Sequence, residues 1–163
     1  MDGSGVARVA QYFGLDISQG ATLGIIGGGG AARSTAHTWQ KLGGKVKIFG
    51  GNRSLDDHDW LSSVDVDERT CDFFINFDDD KLPDDIQVTG HVMNSKYHTI
   101  VGEHGDRVAA VTNPIIDGRW LLAAQHLESW SQLWAPQYAD MLPPLDLLVS
   151  MLITAESVLA SYS

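Results

Sequence analysis

Thr22-Leu-Gly-Ile-Ile-Gly-Gly-Gly-Gly-Ala-Ala-Arg-Ser34 is the stretch that decides the fold. Thr22 to Ile26 is a short apolar run with β character. Gly27, Gly28, Gly29 and Gly30 cannot continue a strand and give the backbone unusual freedom. From Ala31 the pattern turns helical. Strand, glycine turn and helix together open a dinucleotide-binding βαβ unit. Gly27, Gly29 and Ala32 fill its three small positions. The first permits a tight turn, the second lets a pyrophosphate approach the backbone, and the third lets the helix pack close to the strand. Free N–H groups at the helix start, at the positive end of the helix dipole, favour an anion there. The same glycines would also serve a plain strand-to-helix connection with no ligand.

Working outward, the rest of the chain reads as alternating strands and helices. On the N-terminal side, Val6, Val9, Ala10 and Phe13 make one apolar helical face that ends at Gly14. On the C-terminal side the helix runs to about Leu42, with Ala32, Ala36, Trp39 and Leu42 able to face a sheet. Lys45–Phe49, Asp72–Asn76, Ile86–Met93 and Arg107–Val111 are expected as further strands, with a turn or hairpin over His98–Gly105. Thr112-Asn-Pro114 closes the last of them, and Asp117–Leu127 follows as a helix with Trp120, Leu121, Ala124 and Leu127 on one side. The spacing of Trp130 and Trp134 fits helix packing better than an aromatic cage. Leu145–Tyr162 is the final helix, apolar over more than one stripe, so it is either deeply buried or covers a partner. The predicted fold is a Rossmann-like doubly wound α/β domain with a mostly parallel sheet and helices on both faces, spanning residues 1–163.

Composition narrows the function classes. The 163 residues are 44% hydrophobic and 20% charged, ordinary for one globular domain. The single Cys71 excludes an internal disulfide framework and, with no signal stretch, suggests an intracellular setting, cytoplasmic or nuclear. Leu145–Ile153 contains Asp146 and is too short to span a bilayer. A net charge of −10 with scattered Lys and Arg argues against direct nucleic-acid binding but not against a protein partner. Asp78, Asp79 and Asp80 read as a solvated run rather than a metal site. His91, His98 and His104 lack zinc spacing, so no metal is expected.

Gly50-Gly51-Asn52-Arg53-Ser54 lies where this kind of fold meets the adenosine ribose. Arg53, with Asn52 and Ser54, favours the extra phosphate of NADP, whereas Asp56, Asp57 and Asp59 oppose it.

In their order these pieces resemble the C-terminal cofactor domain of the shikimate/quinate dehydrogenase family. Asp2-Gly-Ser-Gly5 resembles the family's Thr-Asp-Gly-x-Gly, and Gly27–Arg33 its Gly-Ala-Gly-Gly-Ala-Ala-Arg. Asn52-Arg53-Ser54 resembles the Asn-Arg-Thr that grips the NADP 2′-phosphate. Asn113-Pro114 with Leu121-Leu122-x-Ala124, and Met141-Leu142, resemble later family motifs. The resemblance implies cofactor contacts from Gly27, Gly28, Gly29, Gly30, Ala31, Arg33, Asn52, Arg53, Ser54 and Asn76. It places Asp2 on the family's catalytic aspartate, a role it would hold only in an active enzyme. It also implies that a substrate domain, with the catalytic lysine, is missing, and that Met1 is not the natural start.

The departures carry equal weight. Asn-Ala-Thr-Pro survives only as Asn76 followed by Phe77-Asp78-Asp79, which adds bulk and negative charge near the cofactor path. A substrate-facing Tyr is Thr112, a substrate-facing Gln falls at Leu145, and Gly50-Gly51 displaces the Asn-Arg-Ser loop. Hydride transfer needs near-attack geometry and a proton acceptor within reach, and these changes remove most of that. Three functions follow. The first is an inactive, regulatory dehydrogenase-like domain with NADP binding weakened or lost. Fungal quinate-pathway repressors, which bind a transcription activator, are the precedent within the resemblance. The second is the cofactor half of an NADP-dependent shikimate or quinate dehydrogenase acting with its upstream domain. The third is a nucleotide sensor that presents its last helix to a partner.

Overall fold

A computed structural model describes residues 1–55, 59–62, 69–78 and 83–161. Asp56, Asp57, Asp79, Asp80 and Tyr162, invoked above, lie outside the described residues. The strands are β1 (Thr22–Ile26), β2 (Lys45–Ile48), β3 (Thr70–Asn76), β4 (Gln87–Asn94) and β5 (Ile115–Ile116). The helices are α1 (Asp2–Tyr12), α2 (Gly30–Lys41), α3 (His104–Ala110), α4 (Gly118–Ser129) and α5 (Leu145–Ala160). The strands form one sheet in the order β2-β1-β3-β4-β5, and every pairing is parallel. This is the expected Rossmann-like architecture.

Alternation along β1 builds two faces. Leu23 and Ile25 join Phe73, Ile75 and Met93 in a core covered by Ala32, Ala36 and Trp39 of α2, by Val6, Val9 and Ala10 of α1, and by Trp120, Ala124 and Leu127 of α4. Trp39 stacks against Phe73 at 5.9 Å, and its indole N–H donates to the Ala21 carbonyl. The opposite face carries a smaller cluster of Cys71, Phe74 and Ile86, flanked by Ile26, Phe49, Val88 and Val92.

Four expectations are corrected. Arg107–Val111 is helical, within and just after α3, and not a strand. The helical turn brings Val108 and Val111, three residues apart, onto the same side and into the core, and Asp106 favours the helix start. The last strand is instead Ile115–Ile116, after the cis Asn113–Pro114 bond. It runs parallel to β4 (Val92↔Ile115), so His98–Gly105 cannot be a hairpin and belongs to a crossover. Leu42 does not face the sheet: it lies one residue past α2 and is 39% exposed.

Candidate functional site

The strand order reverses between β1 and β3, since β2 lies on one side of β1 and β3 to β5 lie on the other. In open parallel sheets, ligands bind outside the carboxyl ends of the strands at this reversal. The glycine turn sits there. Gly27 has φ +122°, open to glycine and strained for other residues, and its N–H donates to the Gly50 carbonyl at 3.0 Å. Gly29 caps α2 without a side chain, and side chains at Gly29 or Gly30 would meet open space. The positive end of the α2 dipole is therefore accessible to an anion. Ala31 follows in the first turn, and Arg33 reaches back so that Nε donates to the Gly28 carbonyl at 3.1 Å.

The loop after β2 is drawn onto this turn. Gly50 and Gly51 take φ of +96° and +144°. A Cβ on Gly28 would collide with the Arg53 carbonyl oxygen and lie 2.8 Å from that of Ser54. A Cβ on Gly51 would lie 2.6 Å from the Gly27 nitrogen. Backbone thus packs on backbone, and Asn52, Arg53 and Ser54 join Gly27–Gly30, Ala31 and Arg33 at one place.

The third side comes from β3. Asn76 ends that strand, is buried, and accepts the Asp78 N–H on its side-chain oxygen at 3.0 Å. This turn aims the Asp78 carboxylate across the crevice, where Oδ2 accepts the Asn52 N–H at 2.5 Å. Because β1 lies between β2 and β3, the Asn52–Asp78 bond passes over the end of β1. The Phe77 Cβ and Asp78 Oδ1 lie 3.0 and 3.3 Å from the position of a Cβ on Gly27. The fit to NADP is divided. The open helix start and nearby Arg53 suit its phosphates, while a carboxylate and a peptide cross the space between them.

Asp2 lies beside α2, one residue before the contact of Gly3 with Ser34. It begins α1, and its Oδ1 accepts from Gln125 Nε2 of α4 at 2.6 Å, while the next residue's N–H donates to Ser34 Oγ of α2. Leu145 is 5% exposed and part of the core, and the Thr112 hydroxyl donates to the Val108 carbonyl, so both positions serve packing. His91 stacks on Phe13 at 4.9 Å and His104 Nε2 pairs with Ser150 Oγ at 2.9 Å. Among the described residues, no three His, Cys, Asp or Glu side chains gather as a metal site. Likewise no described helix is long and apolar enough to cross a membrane.

Sequence reasoning missed three groups. Gln125, the Asp2 partner, has no motif of its own. Asn94 pairs in register with Asn76 and accepts the Lys96 N–H at 2.9 Å; the only available signal was an Asn at a strand end. An ion network links the buried Asp117 and Arg119 to the half-buried Glu156. The Asp117 carboxylate takes Arg119 Nη1 at 3.0 Å on both oxygens, and Arg119 Nε reaches Glu156 at 2.9 Å. Burial works against the Arg119 charge, but the two carboxylates outweigh it and hold the guanidinium protonated.

Shikimate 5-dehydrogenase from Thermus thermophilus, in complex with NADP(H) and shikimate, superposes with a TM-score of 0.63 at 16% identity. The fold is that of the shikimate dehydrogenases. The match covers 94% of this chain and 61% of the Thermus chain. Shikimate dehydrogenase from Aquifex aeolicus gives 0.60 at 17% identity, over 94% of this chain and 60% of its own. The dehydroquinate dehydratase and shikimate dehydrogenase of S. pombe AroM gives 0.60 at 15%, over 94% and 34%. The chain therefore spans less than two thirds of these shikimate dehydrogenases. No protein-family model matches it, and no curated protein does.

Proposed function

We propose that this chain is a shikimate dehydrogenase-like domain that has lost hydride transfer and works by binding another protein, in the manner of a quinate-pathway transcriptional repressor. The observation that carries this reading is the Asn52–Asp78 bond over the end of β1. A dinucleotide laid from the start of α2 toward Arg53 would have to displace that bond. It would also bring its pyrophosphate toward a carboxylate, and like charges repel. The buried Leu145 and the inward-bonded Thr112 add to the reading, since neither offers a substrate contact.

Titration calorimetry with NADP and NAD at millimolar cofactor tests it, with shikimate and quinate oxidation followed in parallel. The expected result is NADP binding too weak to saturate at millimolar cofactor, and no turnover. Asp78→Asn removes the repulsion and weakens the strap, so it should tighten NADP by about 1 kcal/mol, roughly fivefold, at a half-exposed site. Turnover of either substrate by the chain joined to an upstream substrate domain overturns the proposal.

Two observations favour a second reading, the cofactor half of an NADP-dependent dehydrogenase: the α2 start is open, and Gln125 holds Asp2 in a defined place. There NADP, which supplies the hydride acceptor, would rest on the N–H groups of Gly29 and Gly30 and on Arg53. In that case Arg53→Ala weakens NADP more than NAD.

A further inference from the structure

Helix α5 buries one stripe, Leu145, Val149 and Ile153. The side it turns toward α3 is polar instead, with Ser150, Thr154 and Ser157 at helical spacing. His104 Nε2 pairs with Ser150 Oγ at 2.9 Å, and Arg107 Nη1 donates to Ser157 Oγ. Between the two helices lies a cleft of about 370 Å³, lined by Glu103, His104, Arg107, Thr154, Ser157 and Val158. It shares no residue with the nucleotide crevice. The Thr154 and Ser157 hydroxyls give their hydrogens to the Ser150 and Ile153 carbonyls. Ser157 therefore offers Arg107 only a neutral lone pair, which does not compensate the guanidinium charge. Arg107 Nε is buried with no partner. Arg8, Arg69 and Arg119 each hold a carboxylate, but among the described residues none pairs with Arg107, and no cation pairs with Glu103 or Asp106. Glu103 and Arg107 stand four residues apart, the order and spacing at which such a pair closes on a helix. Here it stays open, and both side chains line the cleft. Asp106 adds a second carboxylate next to Glu103, with Oδ2 3.3 Å from where a Cβ on Gly102 would sit.

We propose that this cleft binds a small zwitterion, a free α-amino acid, with its carboxylate on Arg107 and its ammonium group on Glu103. A half-buried cation without a counter-charge gains most from an anion, and the planar guanidinium matches a carboxylate. The ammonium group in turn meets the unpaired Glu103 and Asp106. A phosphate fits less well, because it would bring more negative charge toward those same carboxylates. A lone cation would meet Arg107. The zwitterion compensates both ends of the cleft and adds no net charge. Val158 gives a small side chain an apolar surface, and His104, held by Ser150 and 3.5 Å from the Thr154 hydroxyl, closes one side. This site depends on neither hydride transfer nor the crevice, so it goes beyond the function proposed above.

Amide chemical shifts of the isotope-labelled chain, followed by NMR at constant pH and salt, test this. The probes are L-alanine, acetate, ethylamine and inorganic phosphate. L-alanine should shift the amides of residues 102–107 and 154–158 and saturate in the millimolar range. Acetate carries only the anion and ethylamine only the cation, so each should bind at least about fivefold more weakly. Phosphate should not saturate. Arg107→Met should weaken L-alanine at least about tenfold. Glu103→Gln should weaken L-alanine about threefold and leave acetate no weaker. Glu103 is exposed and its side chain makes no capping bond, so this variant keeps the test decisive even if Arg107→Met does not fold. The proposal is overturned by no saturable response to L-alanine, by shifts centred on other residues, or by acetate or phosphate binding as tightly as L-alanine. An undiminished L-alanine response in Glu103→Gln overturns it as well.

Discussion

Gly28 and Gly30 are adjacent in pattern but opposite in environment. The Arg53 carbonyl occupies the space a Gly28 Cβ would need, whereas Gly30 opens a helix into free space. Gly28→Ala should therefore cost about 2 kcal/mol through forced backbone movement. Gly30→Ala should be neutral or stabilising by about 0.5 kcal/mol. Urea denaturation of the two variants separates them. Cys71 is a second test at this scale. Burial, with the nearby Asp72 charge adding to it, pushes its thiol up to about 11, against an ordinary 9.0, although the Gly24 backbone and Lys47 pull the other way. The unfolded chain releases this proton at lower pH than the folded chain does. The contribution of Cys71 is therefore whole below about pH 9 and declines as pH rises toward about 11. Wild type should lose stability across that window relative to Cys71→Ala, measured by denaturation at pH 7.5, 9 and 10.5. The thiol should also react slowly with a disulfide reagent at pH 8 until the chain is unfolded.

Among the elements, α4 depends on charges that its sequence pattern does not advertise. Asp117 caps it by accepting the Arg119 N–H, and the same carboxylate, fully buried, holds the Arg119 guanidinium. Arg119→Met would leave that carboxylate uncompensated and should cost about 3–5 kcal/mol in chemical denaturation. Arg119→Lys keeps the charge but cannot bridge Asp117 and Glu156 in the same fork, and should fall between. The contrast with α2 is instructive. Ala32, Ala36 and Trp39 are legible as a buried stripe because their spacing alone states it. Arg107–Val111 misled because a short apolar run has no period. Only its packing, with Val108 and Val111 turned into the core and a parallel β5 still to come, made it helical.

For the molecule as a whole, a charge of −10 is a self-repulsion spread over a small surface. Raising salt from about 20 to about 300 mM shortens the screening length. It should stabilise the fold by about 1 kcal/mol, a rise of about 3 °C in melting temperature. The buried Asp117–Arg119 pair is shielded from that salt, so Arg119→Met should show the same rise from a lower start. The crevice is announced by glycines in the sequence, whereas the open faces of α5 follow from its burying a single stripe.

Strand β1, the glycine turn, α2 and the parallel α/β class were determined by the sequence, because glycine tolerance and hydrophobic period act over a few neighbouring residues. So was the gathering of Arg53 and its neighbours near that turn, since a βαβ unit returns the chain to the same edge. The position of Asp78 over β1, the Asp117–Arg119–Glu156 network and the uncovered faces of α5 were decided only by tertiary structure. Each joins residues distant along the chain, and a hydrogen bond, a buried charge or an exposed face takes its value from what the fold places beside it.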